Sequence, residues 1–365
     1  MNKRMEREVM AGMLLLSNGQ AFTGQWHGIS AEIQGEIVFY TGMTGYEEVL
    51  TDPSYKGQII VFSYPLIGQY GFQIKHIQSE KIQAAGIVVS ELYEGPVEKG
   101  AIPLAEFARG SNVPILSGVD TRSVIQTVRE FGTMQSSMSS KETAPDHWQP
   151  LQTHFPAINW TNQEIMQAGA GSLHIGLIDF HYKSSILTEL LKHNCKVSIL
   201  PPTISTEALD NLQLDGLLFS NGPGDPAAFK HSFSVYRDWA ERYPSFGICL
   251  GHQVLASAFG AKTAKLSYGH RGANHPVMNV KTGHVSMSSQ NHSYVVEEKS
   301  IEQTPLAVLY TNVNDGSIEG LYHPSLSVTT VQFHPEAAPG PAEHLELFSK
   351  FLSTVQQKKK VKIHA

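Results

Sequence analysis

At 365 residues, 41% apolar and 16% charged, the chain is long enough for two ordinary domains, and its net charge of −6 argues against a broad nucleic-acid footprint. Its two cysteines, Cys195 and Cys249, exclude a disulfide framework and fit a reducing cytoplasm. No apolar run approaches the roughly 18 residues a membrane span requires, so no membrane association is expected.

Met13 to Leu16 runs into the turn Ser17-Asn18-Gly19 and reads as a first strand, although Lys3, Arg4 and Arg7 precede it. Ile37 to Tyr40, Gln58 to Phe62 and Ala84 to Val89 are apolar, β-branched runs and read as strands. Between the first two, Thr44 opens what reads as a capped helical turn, and Asp52-Pro53-Ser54 a sharp bend. After Asp120, Val124, Ile125 and Val128 share one helical face, and Gly132 ends the helix. Ser136 to Ser140, Ala144-Pro145-Asp146 and Ala168 to Gly171 read as linker. The expected domains are therefore residues 1–150 and 173–357, with a linker over 151–172.

From Leu173 the pattern becomes regular. Strands over Leu173 to Ile178, Lys196 to Leu200 and Gly216 to Ser220 alternate with helices over Ser184 to His193 and Ser205 to Leu212. Continuous apolar strands in a βαβα order predict an α/β fold, a doubly wound, mostly parallel sheet preceded by a mixed α/β domain. Cys195 reads as core filler. Beyond Gly260 the chain turns β-rich. It closes on a helix striped by Leu345, Phe348, Phe351, Leu352 and Val355, then a solvated tail of Lys358 to Lys360 and Lys362.

Chemistry concentrates at three places. Gly247-Ile248-Cys249-Leu250-Gly251 reads as a cysteine nucleophile elbow, a strand turning sharply into a helix with small residues on either side. Such a turn pushes the sulfur into the open, sets the Leu250 N–H at a developing oxyanion, and places the thiol where the helix dipole favours thiolate. A merely buried thiol is the rival reading. A thiol nucleophile needs a base and an orienting group. His334-Pro335-Glu336, after the strand Leu326 to Phe333, offers both. His252 is the competing base, disfavoured because a cation at a helix N-terminus meets the dipole's positive end. Ser220 to Pro226, with two glycines and two prolines after a strand, reads as a rigid loop whose Gly222 and Gly224 can complete an oxyanion hole.

Taken together, Asn221-Gly222-Pro223-Gly224-Asp225, Gly247 to Gln253 and Phe333-His334-Pro335-Glu336 resemble the class I glutamine amidotransferases. The resemblance implies glutamine hydrolysis through a γ-glutamyl thioester, with Cys249 as nucleophile, His334 as base and Glu336 as its orienter. In the first half, Thr41 to Tyr55, Tyr64 to Gly68, Asp120-Thr121-Arg122 and Gly132-Thr133-Met134 resemble the small subunit of carbamoyl-phosphate synthase. So do Gly269 to Pro276, Ser289 to His292 and Pro335 to Pro341. That likeness implies glutamine contacts from Ser54, Gly222, Gly224, Leu250, Gln253, Asn291, Ser293 and Tyr294. It further implies no cofactor or metal in this chain, and a large partner subunit that uses ATP and Mg2+ and receives ammonia. Phe39 to Gly42 and Lys56 to Phe62 look closer to arginine-pathway versions, with the pyrimidine pathway left open.

Two departures stand out. Ser293-Tyr294 replaces the family's Gly-Phe, and Asp179-Phe180-His181-Tyr182-Lys183 replaces Asp-Phe-Gly-x-Lys. A glycine-only geometry would be strained by Ser293, and the second departure bears on local loop shape, not on the chemistry.

Overall fold

The computed structural model describes residues 10–28, 32–141, 145, 147–148 and 165–364. Expectations on Lys3, Arg4, Arg7, Ala144, Asp146, residues 151–164 and the Lys362 side chain lie outside them. The chain divides into two compact units, Met1–Gln152 and Thr153–Ala365.

The first unit is built on a closed barrel that the sequence did not announce. Its strands run Met10–Leu16, Ala21–His27, Ile115–Ser117, Gly86–Val88, Gln58–Phe62, Glu32–Tyr40 and Gln135–Ser139, the last pairing back onto the first. Along the strands Glu32–Tyr40, Gln58–Phe62, Gly86–Val88 and Ile115–Ser117 residues alternate between two cores, as a two-residue period requires. Ile37, Phe39, Ile59 and Val61 pack with Val124 and Val128 of the helix Thr121–Phe131. Val38, Tyr40, Ile60 and Phe62 pack with Val49, Leu50 and Leu104. Ser136 to Ser139 are thus strand, not linker, and the Ser136 hydroxyl donates to Gly35 O at 2.9 Å. The turn Tyr46–Thr51 begins at Gly45 with φ 84° and no side-chain cap. Asp52 caps the short 3-10 turn Pro53–Tyr55 that carries Ser54, accepting from its N–H at 2.9 Å.

The second unit holds a ten-stranded sheet. Its parallel centre is Cys195–Leu200, Leu173–Ile178, Gly216–Phe219, Ser245–Ile248 and Val328–Val331, in that order. Antiparallel strands extend it on both sides, among them the long pair Thr263–Asn279 and Val285–Val296. Leu217 and Phe219 pack into one core with the helix Phe233–Arg242, while Leu218 between them packs into another with the helix Glu346–His364. Helices on both faces are what continuous apolar strands dictate. Met166–Ala168, expected as linker, is instead an edge strand paired with Cys195–Leu200. Lys358 to Lys360 continue the last helix, with Lys358 and Lys360 exposed as expected and Lys359 half-buried. Lys359 Nζ donates to Asp215 Oδ2 at 2.7 Å and to Ser172 O at 2.6 Å. Cys195 is buried in the core, which pushes its thiol up to about 11. Among the described residues no helix is long and apolar enough to cross a membrane.

Candidate active site

Cys249 links the strand Ser245–Ile248 to the helix Leu250–Ala258 in the left-handed region, at φ 53° and ψ −104°. A non-glycine residue there is strained, the geometry of a nucleophile elbow. The sequence explains why the turn closes. A Cβ on Gly251 would lie 2.1 Å from Phe219 O, and one on Gly247 would lie 2.8 Å from Gly251 O. Only glycines permit that crossing. Leu250 is the first helical residue, so its N–H belongs to those that helix geometry leaves without an intrahelical acceptor.

The neighbouring strand delivers the second group. Ser245–Ile248 and Val328–Val331 run parallel with Ile248 opposite Val331, so Cys249 and His334 emerge at the same edge. Cys249 N donates to Val331 O at 2.8 Å, and His334 N donates to Ser289 O at 2.9 Å on the strand Val285–Val296. That strand also supplies Asn291 O, which lies 3.6 Å from Cys249 Sγ. Cys249 is only 2% exposed, so the sulfur is covered where an open thiol was expected. The cover comes from the Val285–Val296 strand, a non-local contact invisible in the elbow motif.

His334 Nδ1 stands 2.6 Å from Glu336 Oε1, and both side chains are buried. Lys183 Nζ approaches the same oxygen at 3.1 Å and donates to Ala337 O at 2.7 Å. Burial disfavours the His334 imidazolium, but Glu336 outweighs it and holds the ring up to about 10; Cys249 adds to the effect and Lys183 opposes it. Burial likewise opposes ionisation of Glu336, which Lys183 and His334 hold down at about 2. His334 Nε2 makes no hydrogen bond of ordinary length, although the thiol is near enough to favour its protonated ring.

Lys183 escaped the sequence reading because a lysine after a strand ordinarily faces water. Here it is 1% exposed, and its N–H donates to Asn221 Oδ1 at 2.9 Å. The Lys183→Met variant should unfold about 3 kcal/mol more easily in urea, since Glu336 then keeps one cation instead of two. A change under about 0.5 kcal/mol would mean that His334 alone suffices.

The loop 220–226 is tied to the elbow by Gly251 N donating to Ser220 O at 3.0 Å. A Cβ on Gly222 would lie 2.0 Å from Phe180 O, and Gly224 has φ 95°. Gln253 Nε2 donates to Tyr294 O at 2.8 Å and to Gln332 Oε1 at 2.9 Å. Cys249, Gln253, Asn291 and Tyr294 are thereby joined through one hydrogen-bond network. Ser293 lies in the strand Val285–Val296 without glycine geometry, its hydroxyl accepting from Arg271. His181 does take a glycine-like conformation, at φ 76°, where the family has glycine. Asp179 Oδ1 holds it there by accepting from His181 N at 2.7 Å and Tyr182 N at 2.9 Å. Ser54 belongs to the first unit and is described there.

His252 is ruled out as the base by its surroundings. It is wholly buried, its Nδ1 lies 2.8 Å from Thr330 Oγ1, and burial pushes it down to about 3. A buried cluster of His270, His292 and Glu319 places metal-type ligand atoms within 4.8 Å of one another. Burial is outweighed there by Asp315 and Glu319, which hold His270 up to about 9. That imidazolium and the nearby Arg271 already balance the two carboxylates, so the cluster does not favour a dication.

The strained cysteine, the buried histidine–carboxylate pair and the parallel sheet edge define a class I glutamine amidotransferase. Residues 176–354 match the glutamine amidotransferase class-I family, and residues 14–138 match the carbamoyl-phosphate synthase small chain, CPSase domain. A carbamoyl phosphate synthase arginine-specific small chain of Bacillus subtilis is 48% identical over 358 residues, covering 98% of this chain and 100% of that one. One from Halalkalibacterium halodurans is 45% identical over 359 residues, with 98% and 100% coverage. The Geobacillus stearothermophilus arginine-specific small chain is 43% identical over 348 residues, with 95% and 98% coverage. The chain belongs to the carbamoyl-phosphate synthase small-chain family and is a glutamine-hydrolysing enzyme.

Proposed function

We propose that this chain releases ammonia from L-glutamine through a Cys249 thioester. A large ATP-dependent partner then uses the ammonia to make carbamoyl phosphate from bicarbonate. The observation that carries the reading is the 2.6 Å His334–Glu336 pair at the sheet edge that also presents the strained Cys249. Cys249 passes its thiol proton to His334, its sulfur attacks the amide carbon of glutamine, and the carbonyl oxygen becomes an oxyanion. The N–H of Leu250 and those of the Gly222–Gly224 loop stabilise it. His334 gives its proton to the leaving nitrogen, so ammonia departs and a γ-glutamyl thioester remains. His334, now neutral, takes a proton from water; the hydroxide displaces Cys249, and glutamate leaves. Glu336 holds the ring by accepting from Nδ1–H, which keeps Nε2 for the reaction.

Gln253, Asn291, Ser293 and Tyr294 surround the substrate in this account, and Ser54 joins them on resemblance alone. The chain itself needs no cofactor or metal for an acyl transfer of this kind; ATP and Mg2+ belong to the large subunit. The arginine-specific relatives support arginine synthesis as the destination of the product. A cytoplasmic location fits the thiol chemistry.

The two histidines near the sulfur provide the test. His334→Asn should lower glutamate release from glutamine by about 1000-fold, the loss of an acid–base group in both half-reactions. His252→Asn should change it by less than about threefold, because the amide can still meet Thr330. Equal losses in both variants would remove His334 from the reaction.

A further inference from the structure

We propose that Gln332 is a positioning residue for the substrate: it fixes which way the side-chain amide of Gln253 points. The proposal rests on the glutamine reading above and adds a residue that neither motif contains.

Gln253 sits four residues after Cys249, one helical turn along, and its N–H donates to Cys249 O at 3.2 Å. Its amide ends look alike in shape, so its orientation must come from hydrogen bonding. The Tyr294 partner is a backbone carbonyl, an unambiguous acceptor, so the end of Gln253 that meets it at 2.8 Å is the amino group. The second N–H of that group meets Gln332 Oε1 at 2.9 Å. Both donors are then used, and Oε1 of Gln253 remains as the end that can accept.

With Tyr294 alone, turning the amide over would break one hydrogen bond. With Gln332 present, turning Gln253 alone breaks two and sets a buried oxygen against two others, so the Gln332 amide would have to turn with it. The backbone of Gln332 is anchored by its N–H donating to Glu319 O at 2.8 Å; its side chain is fully buried, with Nε2 making no hydrogen bond. Thr330, two residues earlier, meets His252, so two alternate positions of one segment grip successive residues of the elbow helix. The consequence is a fixed acceptor beside the nucleophile. Glutamine offers N–H donors to such a group at its α-ammonium and at its amide.

The experiment measures glutamate release by the assembled two-subunit enzyme carrying Gln332→Met or Gln332→Glu. Methionine matches the volume but cannot accept, so KM for glutamine should rise about five- to tenfold, the loss of one neutral hydrogen bond, with kcat within about twofold. A glutamate carboxylate accepts from the same N–H, so Gln332→Glu should hold KM near the wild-type value. The melting temperature of each variant checks that the fold persists. An unchanged KM in Gln332→Met overturns the proposal. So does an equal loss in both variants, which is what a packing role alone would give. A wild-type enzyme that releases no glutamate from glutamine would instead overturn the underlying reading, and this role with it.

Discussion

Replacing Cys249 by serine should abolish glutamine-dependent carbamoyl phosphate synthesis, by a factor on the order of 10⁴ or more, while ammonia-dependent synthesis by the assembled enzyme continues. Serine preserves the strained turn at φ 53°, the 2.8 Å bond from its N–H to Val331 O, and an acceptor interaction with Asn291 O. It removes the nucleophile. A hydroxyl is a far weaker nucleophile than a thiol, and it gives no thioester. The two assays use the same preparation, so a folding defect would lower both. Glutamine use persisting near the wild-type rate would sink the assignment of Cys249.

Gly251→Ala should unfold the second unit far more readily, by about 3 kcal/mol or more. The reason is a backbone contact: the new Cβ would stand 2.1 Å from Phe219 O and 2.6 Å from its carbonyl carbon. A flexible side chain can turn aside, but a carbonyl within the strand Gly216–Phe219 cannot without breaking its pairing on both sides. The melting temperature of that unit should fall by roughly 6–12 °C. Gly110→Ala serves as the control, because nothing lies within 4 Å of its added Cβ. A Gly251→Ala protein that melted with the wild type would show that the strand and the elbow helix part easily.

The candidate site was legible where its chemistry lies within short contiguous segments. Gly247 to Gly251 and His334 to Glu336 each state their local geometry through glycines and a proline, and the apolar strands before them place both at one edge. The cover over the sulfur was not legible, because Asn291 lies far along the chain and contributes a backbone carbonyl, an atom every residue has. Lys183 and Glu336 are equally remote in sequence and meet only through the fold. The barrel escaped for a related reason. Its closing strand, Gln135–Ser139, consists of Gln-Ser-Ser-Met-Ser, which lacks the β-branched residues that mark a strand, and the hydroxyls of Ser136 and Ser139 find backbone partners inside the fold. Helix ends, by contrast, were written plainly. Asp120 and Gly132 bracket Thr121–Phe131 as their side-chain oxygen and left-handed freedom require.

A sulfur reactive enough to cleave an amide is also the sulfur most readily lost to peroxide, which consumes the same ionised form. The Asn291 carbonyl 3.6 Å from Cys249 Sγ, and the burial of Cys249, restrict that access. Peroxide should accordingly oxidise Cys249 more slowly in the folded chain than in the urea-unfolded one.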